Sequence, residues 1–530
     1  MNLIEILQQQ AAIRPEAVAI AEAATRQKIT FAQLEQASNQ AANLLQRSGL
    51  QQGDAVLIVQ PMSIQLYVAL LAIWRLGMVA MFVDPSAGLS HLDRCCQIYP
   101  PQALIASSKA HLLRLRSAAL RQIPHKFAIG WPIWGATHWH LSGNLPISPA
   151  VCSAEMPALL TFTSGSTGQP KAALRTHGFL LAQHQAIAAS LQLQAGQTDL
   201  TTLPIFLLAN LASGVTSVIP AVDLRFPGRI NAASLIQQIH TYQPQTIAAS
   251  PALLARLVKS CQAQALQLDC FARIYSGGAP VFPHLLAQLQ SIAPQAQVHA
   301  VYGSTEAEPI THITYGQLQS EDFAAMQQGK GLLVGQPIPE VTVRILPQTE
   351  GAIEPLTSEA FAAACLPTGQ SGEIVVAGDH VLSGYLHGNG DAETKFRVNG
   401  QPWHRTKDAG YLDTQGRLWL LGRCCARIQD EQGTLYPFAV ETAVSYNADI
   451  RRSALVQVQG QRWLIVEPLA GRSIDRSKLQ QDLSWANLDV VQPCRSLPVD
   501  ARHNAKIDYA ALKKQCQTWA SSTTQKSVPS

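Results

Sequence analysis

A short apolar run ending in small residues, followed by a stretch of helical spacing, recurs along this chain and limits what it can become. "DAVLIVQ" (54–60) reads as a buried strand, "VALLAIWRLG" (68–77) as a helix and "MVAMFVDP" (78–85) as a second strand. "QTIAASP" (245–251), "FARIYSGGAP" (271–280) and "QVHAVYGSTE" (297–306) repeat the strand form. Apolar strands separated by helices are the pattern of parallel sheets covered on both faces. Residues 30–50 carry Leu34, Ala37, Ala41, Leu44 and Leu45 at helical spacing, closed by Gly49. Residues 347–371 read as a loop-like insertion, the sequence turns β-rich from about 372, and the final nine residues read as frayed. The expectation is an α/β protein. A large multi-layer N-terminal domain (1–423) with parallel-rich sheets and helices precedes a small mobile α+β C-terminal domain (424–530). In such sheets ligands gather at the carboxyl ends of strands.

Composition excludes several classes. Of 530 residues 47% are hydrophobic and only 14% charged, which is a core-rich chain and not a disordered one. The net charge is +4 and no Lys/Arg block stands out, which argues against nucleic acid as a partner. The N-terminus has Glu5 and no basic run, so it does not read as a secretory signal. Arg75 interrupts the apolar run 67–83, and Pro204, Gly214 and Pro220 break the uncharged run 200–222, so neither reads as a membrane span. The ten cysteines include no CxxC and read as scattered buried thiols of a reducing, cytoplasmic protein.

Chemistry concentrates in "LLTFTSGSTGQPKAALRTHG" (159–178). "LLTF" reads as a strand and "FLLAQHQAIAASLQL" (179–193) as the helix after the loop. Gly165 and Gly168 permit a tight turn with N–H groups aimed at an anion. Thr163, Ser164, Ser166 and Thr167 add hydroxyl donors, and Lys171 adds a mobile charge. That is a phosphate cradle. It fits neither Gly-Lys-Ser/Thr nor G-x-G-x-x-G, because Pro170 separates the glycines from the lysine.

"TSGSTGQPK" resembles the signature of the adenylate-forming superfamily, which includes acyl-CoA synthetases, luciferases and nonribosomal adenylation domains. Further segments match that family in order. They are "YSGGAP" (275–280), "YGSTE" (302–306), "GEIVVAGDHVLSGYL" (372–386), "RTKDAGYLD" (405–413), "GRCCARI" (422–428) and "HNAKID" (503–508). The resemblance implies that a carboxylate attacks the α-phosphate of ATP, giving an acyl-adenylate and pyrophosphate. It also implies the roles. Residues 163–168 and Lys171 hold the β- and γ-phosphates, Glu306 holds Mg²⁺, and Thr305 donates to the α-phosphate. Lys506 bridges substrate carboxylate and phosphate. Gly278, Ala279, Pro280, Tyr302 and Gly303 hold adenine, Asp408 the ribose hydroxyls, Arg423 a ribose or phosphate oxygen, and Ala426 marks the hinge.

The departures bear on the second half-reaction. Ala426 replaces the usual Asp or Lys. "IQDEQGTLYP" (428–437) has Gln429 where lysine is usual, and its glycine is displaced to Gly433. "LPVDARHNAKID" (497–508), "ADIRRSALV" (448–456) and residues 366–386 resemble the olefin-pathway β-lactone synthetases, which close a β-hydroxy acyl-adenylate without coenzyme A. No acidic residue lies between Asp199 and Asp223, where amino-acid-activating relatives place an aspartate. A buried ammonium without a partner is costly, so an amino acid is disfavoured. Phe206, Leu207 and Leu208 suit the alkyl chain of a fatty or β-hydroxy fatty acid. Three readings stand. Transfer to a thiol of coenzyme A or of an acyl carrier protein's phosphopantetheine ranks first because it is commonest in the superfamily. Lactone closure ranks second, and a catalytically silent binding module third.

Overall fold

A computed structural model describes residues 2–84, 87–143, 145–164, 170–499 and 507–524. The smaller of its two large sheets runs, edge to edge, Thr137–His138, His125–Ile129, Ala103–Ser107, Ala55–Val59, Val79–Phe82, Pro157–Ser164 and Pro170–Thr176. Every neighbouring pair is parallel except the last, which is antiparallel. All five residues of Ala55–Val59 are buried, as expected of a strand covered on both faces.

The flanking helices carry local signals. Thr30 caps Phe31–Arg47 in a reciprocal capping box with Gln33, and Ser63 caps Ile64–Arg75. Arg75, which interrupts the apolar run in the sequence, is buried against Glu35 and donates to Ser38 Oγ at 3.2 Å. It is an interior ion pair between the two helices. Among the described residues no helix is long and apolar enough to cross a membrane.

The larger sheet holds Thr198–Thr201, Thr216–Ile219, Thr246–Ala249, Arg273–Ser276 and Gln297–Ser304 in parallel contacts. Ala307–Thr314 then reverses direction and starts an antiparallel extension through Leu332–Pro337, Leu418–Arg423, Gln401–Leu412, Gly372–Ala377 and Thr342–Leu346. Two stretches differ from the sequence expectation. The loop-like stretch 347–371 contains the helix Ser358–Ala364, whose N-cap Thr357 accepts from Ala360 N. Between the phosphate-loop segment and the helix His177–Ser190 lies the strand Pro170–Thr176, so the loop closes a β-hairpin and not a strand–helix turn.

The C-terminal part of the chain builds a small α+β domain. A hairpin pairs Ile428–Asp430 with Gly433–Leu435. A three-stranded sheet of Ile450–Val458, Gln461–Pro468 and Val490–Pro493 follows, with Pro437–Val444, Arg476–Asp482 and Tyr509–Thr524 as helices. Its alternating residues feed separate apolar clusters, Leu455, Leu464 and Val466 in one and Ala454, Val456 and Ile465 in the other. The helix Tyr509–Thr524 covers the first three of the nine residues expected to fray, and the other six lie outside the described residues.

Candidate active site

The site is built where the larger sheet stops being parallel. Gln297–Ser304 runs with the parallel strands, and Ala307–Thr314 returns antiparallel beside it. Residues 305 and 306 form the turn at that carboxyl end. Gly303 has no room for a side chain, since a Cβ there would stand 2.9 Å from Ala307 O and 3.3 Å from Glu308 Cα. This close approach brings Tyr302, Thr305 and Glu306 into one turn.

On one side the Tyr302 hydroxyl donates to Asp408 Oδ2 at 2.8 Å. Asp408 and Arg423 are cross-strand partners, with Arg423 Nη1 3.2 Å from Asp408 Oδ1. Lys407, just before Asp408, has φ +60°, a conformation that favours glycine. The Lys407 ammonium lies 3.8 Å from Glu373 Oε1.

On the other side Tyr385 Oη donates to Glu306 Oε1 at 2.5 Å. The Lys395 and Lys171 ammonium groups lie 5.7 and 5.6 Å from the Tyr385 ring centroid, and Lys395 donates to Leu382 O. Arg175 is buried, donating to Thr305 O at 3.0 Å and to Thr161 Oγ1 at 2.8 Å. It thereby ties the phosphate-loop hairpin to the Glu306 turn.

Burial pushes the Glu306 carboxyl upward, but His404, the Tyr385 hydroxyl and Lys395 outweigh it and hold the group below its usual value. His404 is itself lowered, by burial first and then by the Lys395 ammonium, against the pull of Glu306. Burial lowers Lys395 to about 8, against the pull of Glu306 and Asp391. Glu308, two residues on, is raised by burial against the opposing charge of Arg175. An ionised, half-buried carboxylate is the donor a hard dication needs, so Glu306 fits Mg²⁺.

The structure gathers some of the sequence candidates and separates others. Tyr302, Gly303, Thr305, Glu306, Asp408 and Arg423 converge on one strand end. Gly278, Ala279 and Pro280 follow the neighbouring strand Arg273–Ser276, with Gly278 at φ +80°. Thr163 and Ser164 pair in register with Lys171 and Pro170. Gly165, Ser166, Thr167, Gly168 and Lys506 lie outside the described residues, although Ile507, beside Lys506, bridges Val499. Ala426 sits in the short turn Cys424–Ala426 that leaves the large sheet.

The alkyl candidates divide. Phe206 packs with Ile187, Leu191, Ala248 and Tyr275. Leu208 lines a small apolar cavity of about 60 Å³ with Ile205, Ile187 and Trp74. Leu207 is fully buried in the core beneath the smaller sheet. Asp199 is engaged in the core, accepting from Thr201, Thr246 and Asn210 at 2.6, 2.7 and 3.0 Å.

Tyr385, Lys395, Arg175 and His404 are the members that the sequence does not single out. Lys395 and His404 meet only through cross-strand register, and Arg175 lies on a strand beyond the loop motif, four residues after Lys171. Tyr385 lies within a segment matching the family, which marks the block but not its bond to Glu306.

A mixed sheet whose reversal point holds a tyrosine–aspartate pair and an ionised glutamate beside a hairpin phosphate loop defines an ATP-using, adenylate-forming architecture. A family profile described as "AMP-binding enzyme" matches residues 7–386, and the chain belongs to that family. Family members use ATP, generally with Mg²⁺, and the chain is an AMP-forming ligase that activates an acid. It is 31% identical to an olefin beta-lactone synthetase of Stenotrophomonas maltophilia, over 94% of this chain and 92% of that protein. It is 26% identical to an indoleacetate–CoA ligase of Aromatoleum aromaticum, over 91% of each. An amide bond synthetase of Marinactinospora thermotolerans shares the fold with a TM-score of 0.80 at 20% identity, covering 97% of this chain and 99% of that one.

Proposed function

We propose that the chain adenylates a β-hydroxy fatty acid with ATP and Mg²⁺ and then closes it to a β-lactone without an external thiol. The observation that carries the adenylation step is the convergence of Tyr302–Asp408 and Tyr385–Glu306 on one strand end, tied by Arg175 to the phosphate-loop hairpin. In the first step a carboxylate oxygen bonds to the α-phosphorus and the bond to the pyrophosphate oxygen breaks. Lys506 screens the two anions, and residues 163–168 with Lys171 hold the leaving phosphates. Thr305 donates to the α-phosphate. Glu306 is the carboxylate that would hold Mg²⁺, which supplies charge neutralisation when bound. Tyr302, Gly303 and residues 278–280 take adenine, Asp408 the ribose and Arg423 a neighbouring oxygen. In the second step the β-hydroxyl oxygen bonds to the acyl carbon, the acyl–phosphate bond breaks, AMP leaves and the hydroxyl proton passes to solvent.

Three observations support this choice of acid and acceptor. The β-lactone synthetase is the nearer of the two relatives in identity. Asp199 is fully engaged in the core and so offers nothing to a substrate ammonium. Asp430, beside Gln429, is clamped by Arg462 at 2.6 and 2.8 Å, so the hairpin that departs from the thiol-using pattern is pinned to its own domain. We place the domain boundary after Arg423, with Ala426 as the hinge, and the enzyme in the cytoplasm, where ATP is made available. Phe206 and Leu208 belong to the wall that takes the alkyl chain, with Leu207 packed in the core behind them.

Transfer to coenzyme A or to a carrier-protein phosphopantetheine is the second reading, favoured by the match to a CoA ligase over 91% of the chain. Incubation with ATP and a chain-length panel of 3-hydroxy fatty acids, with and without coenzyme A, separates the two by mass spectrometry. The first reading predicts multiple turnovers without thiol and a product lighter than the acid by one water. Strict thiol dependence with a thioester product would establish the second.

A further inference from the structure

Between Asp93 and Glu155 the chain has no acidic residue but six basic ones, Arg94, Lys109, Arg114, Arg116, Arg121 and Lys126. The net charge of the whole protein is only +4, so this stretch of +6 outweighs the rest. The basic residues are too widely spaced to read as a block, and the asymmetry emerges from the missing acids.

The structure gathers much of the stretch into one surface. The turn Ala110–Leu115 follows the strand Ala103–Ser107, and the loop 130–136 follows the adjacent strand His125–Ile129. They are stitched together, since Arg114 Nη1 donates to Trp134 O at 3.3 Å and Ser108 Oγ donates to Trp131 O at 2.6 Å. Four large apolar side chains stand outward from these two segments. Trp134 is 94% exposed, Leu115 76%, Leu112 62% and Trp131 58%. Lys109, Arg116 and Arg121 are exposed around them. Isolated exposed apolar residues are ordinary, but two tryptophans and two leucines together, ringed by cations that make no ion pair among the described residues, are not.

We propose that this patch docks the protein on the surface of an anionic lipid bilayer. Tryptophan favours the headgroup level, where one end of the ring is apolar and the other wet. Leucines enter the acyl boundary, and arginines and lysines attach to anionic headgroups. A protein partner of the same apolar character would need matching acids, and a nucleic acid would leave the two leucines and the outermost indole without a role.

The placement has a consequence for access. The strands before the two patch segments are parallel to Pro157–Ser164, which leads into the phosphate loop. All of these strands therefore end on the same rim of the sheet. His125–Ile129 is four strand spacings from Pro157–Ser164, roughly 19 Å. A bilayer docked on the patch lies along the rim that carries the site, where a long-chain acid partitions.

Co-sedimentation of the full chain with vesicles tests the proposal. Vesicles of equal parts phosphatidylglycerol and phosphatidylcholine should bind the wild type, with binding weakened by salt, and pure phosphatidylcholine should not. W131S/W134S should lower binding to the mixed vesicles at least tenfold, and K109Q/R116Q by about tenfold or more. The adenylation rate on a short soluble acid should stay unchanged in both variants, which also shows that they fold. No binding to anionic vesicles, or equal binding by W131S/W134S, overturns the proposal. So does a wild-type dimer that W131S/W134S converts to monomer, because the occupant is then a second copy.

Discussion

Glu306 illustrates how a residue's role depends on neighbours far away in sequence. Its place in "YGSTE" marks it as a metal ligand by resemblance, but His404, Tyr385 and Lys395, 98, 79 and 89 positions on, hold its carboxyl below the usual value. Glu306→Gln should therefore shift the Mg²⁺ titration of the ATP-dependent step to higher concentration. At fixed Mg²⁺ it should cost about 2.7 kcal/mol of barrier, roughly a hundredfold in rate. An unchanged titration would remove Glu306 from the metal site. Lys506→Ala should nearly abolish acyl-adenylate formation, trapped as hydroxamate, while the melting temperature stays close to wild type. A loss under about threefold, ~0.7 kcal/mol, would refute its role. Glu441 is a different case, a buried carboxyl in the small domain that accepts from Tyr509 Oη at 2.6 Å and from Leu455 N at 3.0 Å. Burial raises it to about 7 from an ordinary value of 4.5. The folded state then holds a proton that the unfolded chain has lost. The stabilisation is complete below about pH 4.5 and disappears as the pH rises through about 7, on the order of 3 kcal/mol across that window. Glu441→Gln should flatten the denaturant midpoint between those pH values, and a slope equal to wild type would contradict the assignment.

Helices and strands were legible where a single period ran unbroken. Phe31–Arg47 and Ala55–Val59 lie within the stretches their apolar spacing marks, because each is covered by neighbours that the same spacing demands. Ser358–Ala364 was not, since seven mostly small residues with one buried phenylalanine give too little period to register. The strand Pro170–Thr176 was hidden because a loop motif invites a helix after it, whereas here the hairpin partner intervenes. Strand Leu332–Pro337 carries a register shift at Gly335, which has φ +97° and whose Cβ would stand 2.0 Å from His312 O. Gly335→Ala should destabilise by about 2–4 kcal/mol in urea, against about 1 kcal/mol for Gly416→Ala. At Gly416, φ is also positive, at +75°, but the space is open. Equal costs would show that conformation, not packing, dominates both. In helix Pro204–Ser213, Phe206→Asp should impair long alkyl acids more than short ones, since a charge entering an apolar wall must be hydrated or neutralised. Equal loss across chain lengths would assign Phe206 to the core alone.

The molecule joins a doubly covered parallel sheet, a mixed sheet that reverses at the site and a small appended domain. The first was readable from apolar strands. The reversal was not, because Gln297–Ser304 and Ala307–Thr314 look alike in sequence and only their pairing separates parallel from antiparallel. The motif order carried the ATP side of the site, whereas the acceptor side rests on a hairpin whose departures from pattern say what it lacks and not what it does. Adenylation of the acid requires that the carboxylate, and not the β-hydroxyl, is the group joined to AMP. A 3-hydroxy fatty acid labelled with ¹⁸O in both carboxyl oxygens decides this by mass spectrometry of both products. Activation at the carboxylate predicts AMP carrying one ¹⁸O and a lactone retaining one. Unlabelled AMP with both labels in the lactone would mean that the hydroxyl is activated and displaced, and would contradict the account.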